Sequence, residues 1–244
     1  MYIIFPMGGY EPFLLGAYWF MRSLFWGSLI LAFFSLIISK RVNNKSYAIF
    51  ICCIIFFSFA GVKAFLQKDV PFFPGGGYPE MMSVVFISIG FFVKKYGILN
   101  FSLCIPLSII IFLIFFIIHP SSLKTSSTVL DWVTIVFSGV SGFCLVFYLS
   151  KLIKELAIGR LFAYLGRLSF YILTFHFLMF KPASLFKIHL YGLNPKMIGC
   201  HPIIFPTDDN WYWIIYSLSS IVLCVIIAQL LLYLKEKRLF LMTK

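Results

Sequence analysis

Charged residues are scarce in this sequence: they make up 11% of its 244 residues, whereas hydrophobic residues make up 61%. A typical globular domain carries roughly 25% charged residues. The mean hydropathy of the chain is +1.00. This composition excludes a soluble globular protein and indicates a protein that lies within a membrane.

The hydrophobic runs lack the alternation of polar and apolar residues that marks the strands of a membrane β-barrel. They are long enough to cross the roughly 30 Å hydrocarbon core of a bilayer as helices, whose backbone groups bond internally. About seven spans are predicted, at residues 17–39, 46–66, 78–93, 99–118, 129–149, 161–180 and 211–234. We therefore predict an all-α, polytopic transmembrane bundle that forms a single membrane domain over residues 1–244.

Familiar catalytic and metal-binding signatures are also absent. The sequence contains no G-x-S-x-G, no H-E-x-x-H, no pair of C-x-x-C motifs and no Gly-rich dinucleotide fingerprint. Its six cysteines lie mostly inside predicted spans without metal-ligand spacing, as is typical of buried packing thiols, and the adjacent Cys200 and His201 are a weak metal signal. We predict no metal ion and no bound cofactor.

Acidic residues are few, and the formal net charge is +12 at pH 7. The basic residues occur as short clusters between spans, which is typical of the positive-inside rule and not of a nucleic-acid partner. One side holds Lys40, Arg41, Lys45, Lys94, Lys95, Lys151, Lys154, Arg160, Lys235, Lys237, Arg238 and Lys244; the other holds only Lys68, Lys124, Lys181, Lys187 and Lys196. The C-terminus is therefore predicted to be cytoplasmic and the N-terminus to lie outside.

The start of the chain has no basic n-region of the kind that begins a secretory signal. An outward N-terminus without a signal is expected when an odd number of helices precedes the chain. A truncated chain or a misassigned start is therefore one hypothesis.

Several ionisable residues fall inside the predicted spans, where each costs about 2.5–3.5 kcal/mol at the bilayer centre. On the predicted topology Arg22, Glu80, His176 and Lys181 lie at roughly one depth near the outer surface, and Arg167 lies closer to the cytoplasm. Polar groups at one depth favour a functional site near the outer mouth.

Helical periodicity divides the sixth span, taken as one continuous helix, into two polar faces. One face carries Arg160, Arg167, Thr174 and Lys181, and the other carries Ser169 and His176. Structural roles compete with this functional interpretation. Arg160 and Lys181 can be end anchors whose charged groups reach the membrane interface, and Arg22 can lie at that interface beside Trp19 in an aromatic belt. His176 can form a hydrogen bond between two helices. The following loop, residues 181–210, is predicted to be a partly ordered lid or a re-entrant segment over the outer mouth.

Four stretches of the sequence together resemble acyltransferase family 3, a family of bacterial membrane proteins, and in particular its polysaccharide O-acetyltransferase and fucose 4-O-acetylase-like branch. They are YWFMRSLF, FISIGFFVKKYG, FAYLGRLSFYILTFHFLMFK and NWYWIIYSLSSIVLCVIIAQLLLYLKEK. The resemblance extends in order and hydropathy over nearly all of the chain, and residues 165–181 are its most specific part.

The resemblance implies an enzyme of the bacterial inner membrane that moves an acetyl group from acetyl-CoA to a sugar hydroxyl of a surface polysaccharide or its lipid-linked precursor. It also implies about ten spans, including an early helix with a catalytic arginine and histidine. This sequence contains no counterpart of that helix. About three spans are therefore expected to be missing before residue 1.

Acetyl transfer to a hydroxyl needs a base for the alcohol proton and a cation or hydrogen-bond donor for the oxyanion. We predict His176 and Arg22 as the catalytic residues, with His176 acting as base or, if the main histidine lies in the absent helix, supporting the acceptor or donor site. Substrate contacts are predicted for Arg167, Lys181, Glu80, Trp19 and Ser169.

Two other functions fit the same sequence. In a transporter or flippase of envelope glycan intermediates, the polar groups would line a substrate path through the membrane. In a noncatalytic remnant, the chain would persist through its packing alone. The predicted partners are an envelope glycan or lipid-linked sugar acceptor and membrane lipid, and no nucleic acid.

Overall fold

The computed structural model of the protein describes residues 18–68, 70, 74–97, 104–118, 128–200, 203–204 and 211–242. Within these ranges the chain forms eight α-helices, two short 3-10 turns at Pro74–Gly77 and Pro195–Gly199, and no strand. The helices are α1 (Tyr18–Val42), α2 (Lys45–Leu66), α3 (Tyr78–Tyr96), α4 (Cys104–Ile118), α5 (Val129–Ile153), α6 (Ala157–Arg167), α7 (Ser169–Tyr191) and α8 (Tyr212–Met242). The prediction of an all-α fold is confirmed.

Among the described residues, four helices are long and apolar enough to cross a membrane, namely α1 from Phe20 onward, α2, α5 and α8 up to Lys237. The pair α6 and α7 makes a fifth candidate if it counts as one bent span. The predicted spans 78–93 and 99–118 overlap α3 and α4, and their crossing of the membrane stays a prediction; residues 98–103 lie outside the described part of the chain. The protein is a multi-pass membrane protein.

The first of two compact units comprises the described residues within Phe20–Lys154 and contains α1 to α5. One of its core clusters joins Leu31, Ile49, Cys52 and Val84 from α1, α2 and α3. A second cluster joins Ala60, Tyr78, Met82 and Ile135 from α2, α3 and α5. These small cores fit helices that keep most of their apolar side chains for contact with lipid.

The start of α3 depends on glycine. Gly76 and Gly77 have φ angles of +70° and +81°, which residues with a Cβ rarely adopt. They turn the chain sharply into the first turn of α3, where Pro79 occupies an early position that needs no intrahelical N–H bond. Glu80 is thereby held in the first turn of this helix.

The second unit comprises the described residues within Glu155–Lys244 and contains α6, α7 and α8. Its core joins Ala183 of α7 to Tyr212 and Tyr216 of α8. The predicted loop beginning at Lys181 is wrong in its first part, because α7 continues through Pro182 to Tyr191. Packing of Ala183 and its buried neighbours against α8 offsets the cost of a proline inside the helix.

The predicted sixth span is also wrong as one continuous helix. The chain breaks at Leu168, whose φ and ψ of −95° and 3° are not helical, and α6 and α7 meet there at an angle of 80°. Leu168 is buried, so its burial supports the break in place. The two polar faces predicted for a single helix over 160–181 therefore do not exist.

Candidate functional site

Helices α1 and α3 come into close contact at Gly27. A Cβ atom on this residue would lie 2.6 Å from the Cβ of Ser83 and 3.2 Å from the carbonyl oxygen of Glu80. Ser23 lies four residues before Gly27, on the same face of α1. The absence of a side chain at Gly27 lets α1 approach α3 closely enough for its polar residues to reach Glu80.

The ion pair between Arg22 and Glu80 lies beside this contact. Arg22 Nε is 3.6 Å from Glu80 Oε1, and the two side chains are only 11% and 1% exposed. Ser23 Oγ donates a hydrogen bond of 3.4 Å to the same carboxylate oxygen. The structure thus brings together two of the predicted site residues, Arg22 and Glu80. It also adds Ser23, which could have been suspected from the sequence only because it follows Arg22.

The hydrogen bonding of this pair is incomplete. Arg22 Nε and Glu80 Oε2 are both buried, and neither has a hydrogen-bond partner among the residues that the structure describes. Buried polar atoms are nearly always satisfied, so such groups are candidates for contact with a ligand. A carboxylate oxygen accepts a hydrogen bond from a hydroxyl group, and a guanidinium N–H donates one to an oxyanion.

His176 lies on α7 in the second unit, partly buried. Its Nδ1 is 2.9 Å from the carbonyl oxygen of Leu173 and 3.1 Å from that of Ile172. Because carbonyl oxygens only accept hydrogen bonds, Nδ1 carries the proton, and in the neutral ring Nε2 carries the lone pair that can act as a base. The predicted hydrogen bond between helices is not made by the ring; it is the backbone carbonyl of His176 that accepts from Ser220 Oγ of α8 at 3.3 Å.

Lys181 has a structural role in the same unit. Its Nζ donates to the carbonyl oxygens of Ile198 and Cys200 at 3.0 and 2.6 Å. These bonds tie the 3-10 turn at Pro195–Gly199 to α7. A role of this lysine in binding substrate stays a prediction.

Lys187 was not predicted as a site residue because the sequence placed it in a loop, yet it lies on α7 and is only 2% exposed. Its Nζ donates to the carbonyl oxygen of Ile204 at 3.1 Å and lies 4.7 Å from the ring centre of Tyr212. Beside it, the hydroxyl groups of Ser184 and Tyr216 are 3.0 Å apart. Together with Lys181, these groups hold the segment after α7 against the helix.

Two of the predicted residues remain apart from these contacts. Arg167 ends α6 and Ser169 begins α7, and both side chains are exposed on either side of the break. Trp19 lies in the first turn of α1, and its side chain is outside the described part of the structure. Arg167, Ser169, His176 and Lys181 all belong to the second unit, whereas Arg22 and Glu80 belong to the first.

An open groove of about 610 Å³ lies in the first unit, where the start of α2 faces the end of α3. It is lined by Asn44, Ser46, Tyr47, Phe50, Phe92, Lys95 and Tyr96. Lys95 Nζ donates to Ser46 Oγ and lies 5.3 Å from the ring centre of Tyr96. The four aromatic rings that line the groove, together with the Lys95 ammonium group, make a surface that can take a planar, negatively charged ligand.

The comparison with protein families gives a match over residues 3–229 to the model of an acyltransferase domain, that of acyltransferase family 3. No curated protein and no solved structure gave a significant match. The matched range covers the described residues of the first unit and most of the second, with the Arg22 and Glu80 pair and His176 among its residues. The chain therefore belongs to acyltransferase family 3 and is a membrane acyltransferase, as its sequence predicts.

Proposed function

We propose that the protein transfers an acetyl group from acetyl-CoA to a sugar hydroxyl of a cell-envelope glycan or its lipid-linked precursor, within the bacterial cytoplasmic membrane. Family membership supports acyl transfer, and the sequence resemblance to the O-acetyltransferase branch supports the sugar acceptor. The observation that carries the choice of site is the buried Arg22 and Glu80 pair. Among the described residues its Nε and Oε2 atoms have no hydrogen-bond partner, and they are complementary to an oxyanion and a hydroxyl, respectively.

In the proposed reaction the sugar oxygen attacks the thioester carbonyl carbon of acetyl-CoA. A C–O bond forms, the C–S bond breaks, the hydroxyl proton passes to a base, and CoA leaves as a thiolate that takes up a proton. Glu80 Oε2 would accept the hydrogen bond from the acceptor hydroxyl and orient it, and Arg22 would stabilise the oxyanion of the tetrahedral intermediate. For His176, which belongs to the second unit, we propose a role in acyl transfer as a base that takes up a proton at Nε2 of its neutral ring, or as a positioning group.

The donor is proposed to dock its nucleotide end in the groove that Lys95 lines. This end of the first unit also carries Lys40, Arg41 and Lys94 and is predicted to face the cytoplasm, where acetyl-CoA is found. Aromatic rings such as Tyr47 and Tyr96 can stack on adenine, and Lys95 can pair with a phosphate. The same lysines also follow the positive-inside rule, so variants are needed to separate the two roles.

Radiolabelled acetyl-CoA tests this function directly. Membranes that contain the full chain are incubated with [14C]acetyl-CoA, and label on extracted glycan is measured before and after mild alkali, which cleaves O-acetyl esters. We expect alkali-labile label that falls about 10²-fold or more in Glu80→Gln, because a group that orients and activates the nucleophile is lost. The exposed Glu236 supplies the matched control, Glu236→Gln, which should leave the rate unchanged.

Label that is absent from the glycan fraction, or present at equal levels without the chain, would contradict the proposed transfer. Equal rates in Glu80→Gln and Glu236→Gln would remove Glu80 from the site while leaving the transfer itself intact. For the donor groove, Lys95→Ala should raise the KM for acetyl-CoA several-fold, whereas Lys151→Ala, at the end of α5, should not. Identical KM values in the two variants would contradict donor binding in the groove.

A further inference from the structure

Helix α6 is the shortest of the eight described α-helices, and it meets its neighbour α7 at a sharp angle. Its 11 residues extend for about 16 Å, which is too short for the roughly 30 Å hydrocarbon core. The 23 residues of α7 extend for about 34 Å, which is sufficient in length, and its apolar character meets that of a span in combination with α6. Because the two helices meet at 80°, α6 runs nearly parallel to the membrane plane when α7 crosses the membrane.

The side chains of α6 separate into an apolar face and a basic face. Ile158, Leu161 and Phe162 lie on one side of the helix and are 44%, 50% and 57% exposed. Arg160 and Arg167 lie on the opposite side at 100° per residue, and both are exposed. A short helix with one uncovered apolar face and one cationic face is typical of a helix that lies in the membrane interface.

Contacts at other positions hold α6 in place without covering either face. Gln229 Nε2 of α8 donates a hydrogen bond to the hydroxyl of Tyr164. Gly159 is the buried position within α6, and the buried Leu168 follows its last residue. The helix is thus attached at its edges while its apolar face remains open.

We infer that α6 is an interfacial helix whose partner is the anionic surface of the cytoplasmic leaflet. Ile158, Leu161 and Phe162 insert among the upper acyl chains, and Arg160 and Arg167 bind lipid phosphates. Two observations select lipid over a protein partner. The helix leads directly into a helix long enough to cross the membrane, and its cations follow Lys151 of α5 on the side predicted to be cytoplasmic.

Spin labels on the two faces of α6 test this placement. The full chain, in a background with its native cysteines replaced that retains the wild-type Tm, is reconstituted in nanodiscs with Leu161→Cys, Phe162→Cys or Ala163→Cys. Oxygen collisions report lipid exposure, and collisions with a nickel chelate report water exposure. We expect the ratio of oxygen to nickel collisions to be several-fold higher at 161 and 162 than at 163, which lies on the basic side of the helix.

The lipid preference is measured with the label at 161 in nanodiscs of phosphatidylcholine alone or mixed with phosphatidylglycerol. With both arginines present, phosphatidylglycerol should lower the collision rate of the nickel chelate at the 161 label about twofold. In the double variant Arg160→Gln with Arg167→Gln, the collision rate should be the same in both lipid compositions. The control Lys196→Gln, predicted to face the outer side, should retain it.

High oxygen and low nickel collisions at all three positions would show a membrane-crossing segment and overturn the inference. High nickel access at all three would show a helix in water, and low access to both reagents at 161 and 162 would show a protein surface over the apolar face. Either result would also overturn it. An unchanged response to phosphatidylglycerol in the arginine double variant would remove the lipid phosphates as the partner.

Discussion

The Arg22 and Glu80 pair gives a quantitative prediction, because its geometry fixes the size of the interaction. At the 3.6 Å that separates Arg22 Nε from Glu80 Oε1, two unit charges attract by about 4.6 kcal/mol at an effective dielectric constant of about 20. Removing one partner leaves the other charge buried without compensation, which typically costs about 3–5 kcal/mol. Arg22→Gln and Glu80→Gln should therefore each lower the free energy of unfolding by about this amount.

The double variant separates stability from function. Replacing both charges removes the uncompensated ion, so Arg22→Gln with Glu80→Gln should be at least about 2 kcal/mol more stable than the sum of the single losses predicts. Acetyl transfer should remain at the level of the worse single variant, because neither the oxyanion contact nor the hydroxyl contact returns. Unfolding is followed in detergent by intrinsic fluorescence against denaturant, and transfer by [14C]acetyl-CoA.

Additive losses of stability in the single and double variants would refute the interaction between the two charges. Recovery of acetyl transfer in the double variant, together with its stability, would show that the pair serves packing alone. The exposed Glu236→Gln serves as the control for both measurements.

Three further changes test the packing and the second unit. Gly27→Ala would place a Cβ atom 2.6 Å from the Cβ of Ser83 on α3 and should cost about 1–3 kcal/mol, seen as a lower Tm. The control Gly90→Ala, where the new Cβ meets no described atom within 4 Å, should leave the Tm equal or slightly higher; equal Tm values in the two variants would contradict the close helix contact. His176→Phe should keep the Tm and reduce acetyl transfer about 10²-fold, and a wild-type initial rate would exclude this ring as base or positioning group. Lys187→Met leaves the buried carbonyl oxygen of Ile204 without its donor and should lower the free energy of unfolding by about 1–3 kcal/mol, measured with denaturant beside the exposed control Lys196→Met. An unchanged free energy of unfolding in Lys187→Met would contradict the role of this lysine in holding the segment after α7.

Composition and periodicity were sufficient to predict the membrane class and the helical fold, because hydrophobic runs of this length have few other structures available in a bilayer. For Arg22 and Glu80 the sequence predicts only that they lie at about the same depth in the membrane, and it does not predict that they are in contact. Their contact depends on Gly27 and on the turn at Gly76 and Gly77, which are tertiary features that hydropathy does not report.

The wrong predictions, for the sixth span and for the segment after it, have one physical origin: tertiary packing decides where these helices break or continue, and local hydropathy and proline do not. Hydropathy over 161–180 is continuous, yet the chain breaks at Leu168, where burial of this residue stabilises a bend that no proline marks. Conversely, Pro182 marks the end of a helix by local rules, but α7 continues past it because its next turns pack on α8. Lys187 was missed for the same reason.

The chemical nature of the product tests the central claim most directly. The full chain in nanodiscs is supplied with [1-13C]acetyl-CoA and a membrane glycan extract, and the glycan is then examined by 13C-detected NMR. Transfer to a sugar hydroxyl predicts an ester carbonyl signal correlated with a sugar proton, strongly reduced in the Glu80→Gln variant. Labelled free acetate alone, or an amide carbonyl on the glycan, would contradict the account of this protein as a sugar O-acetyltransferase.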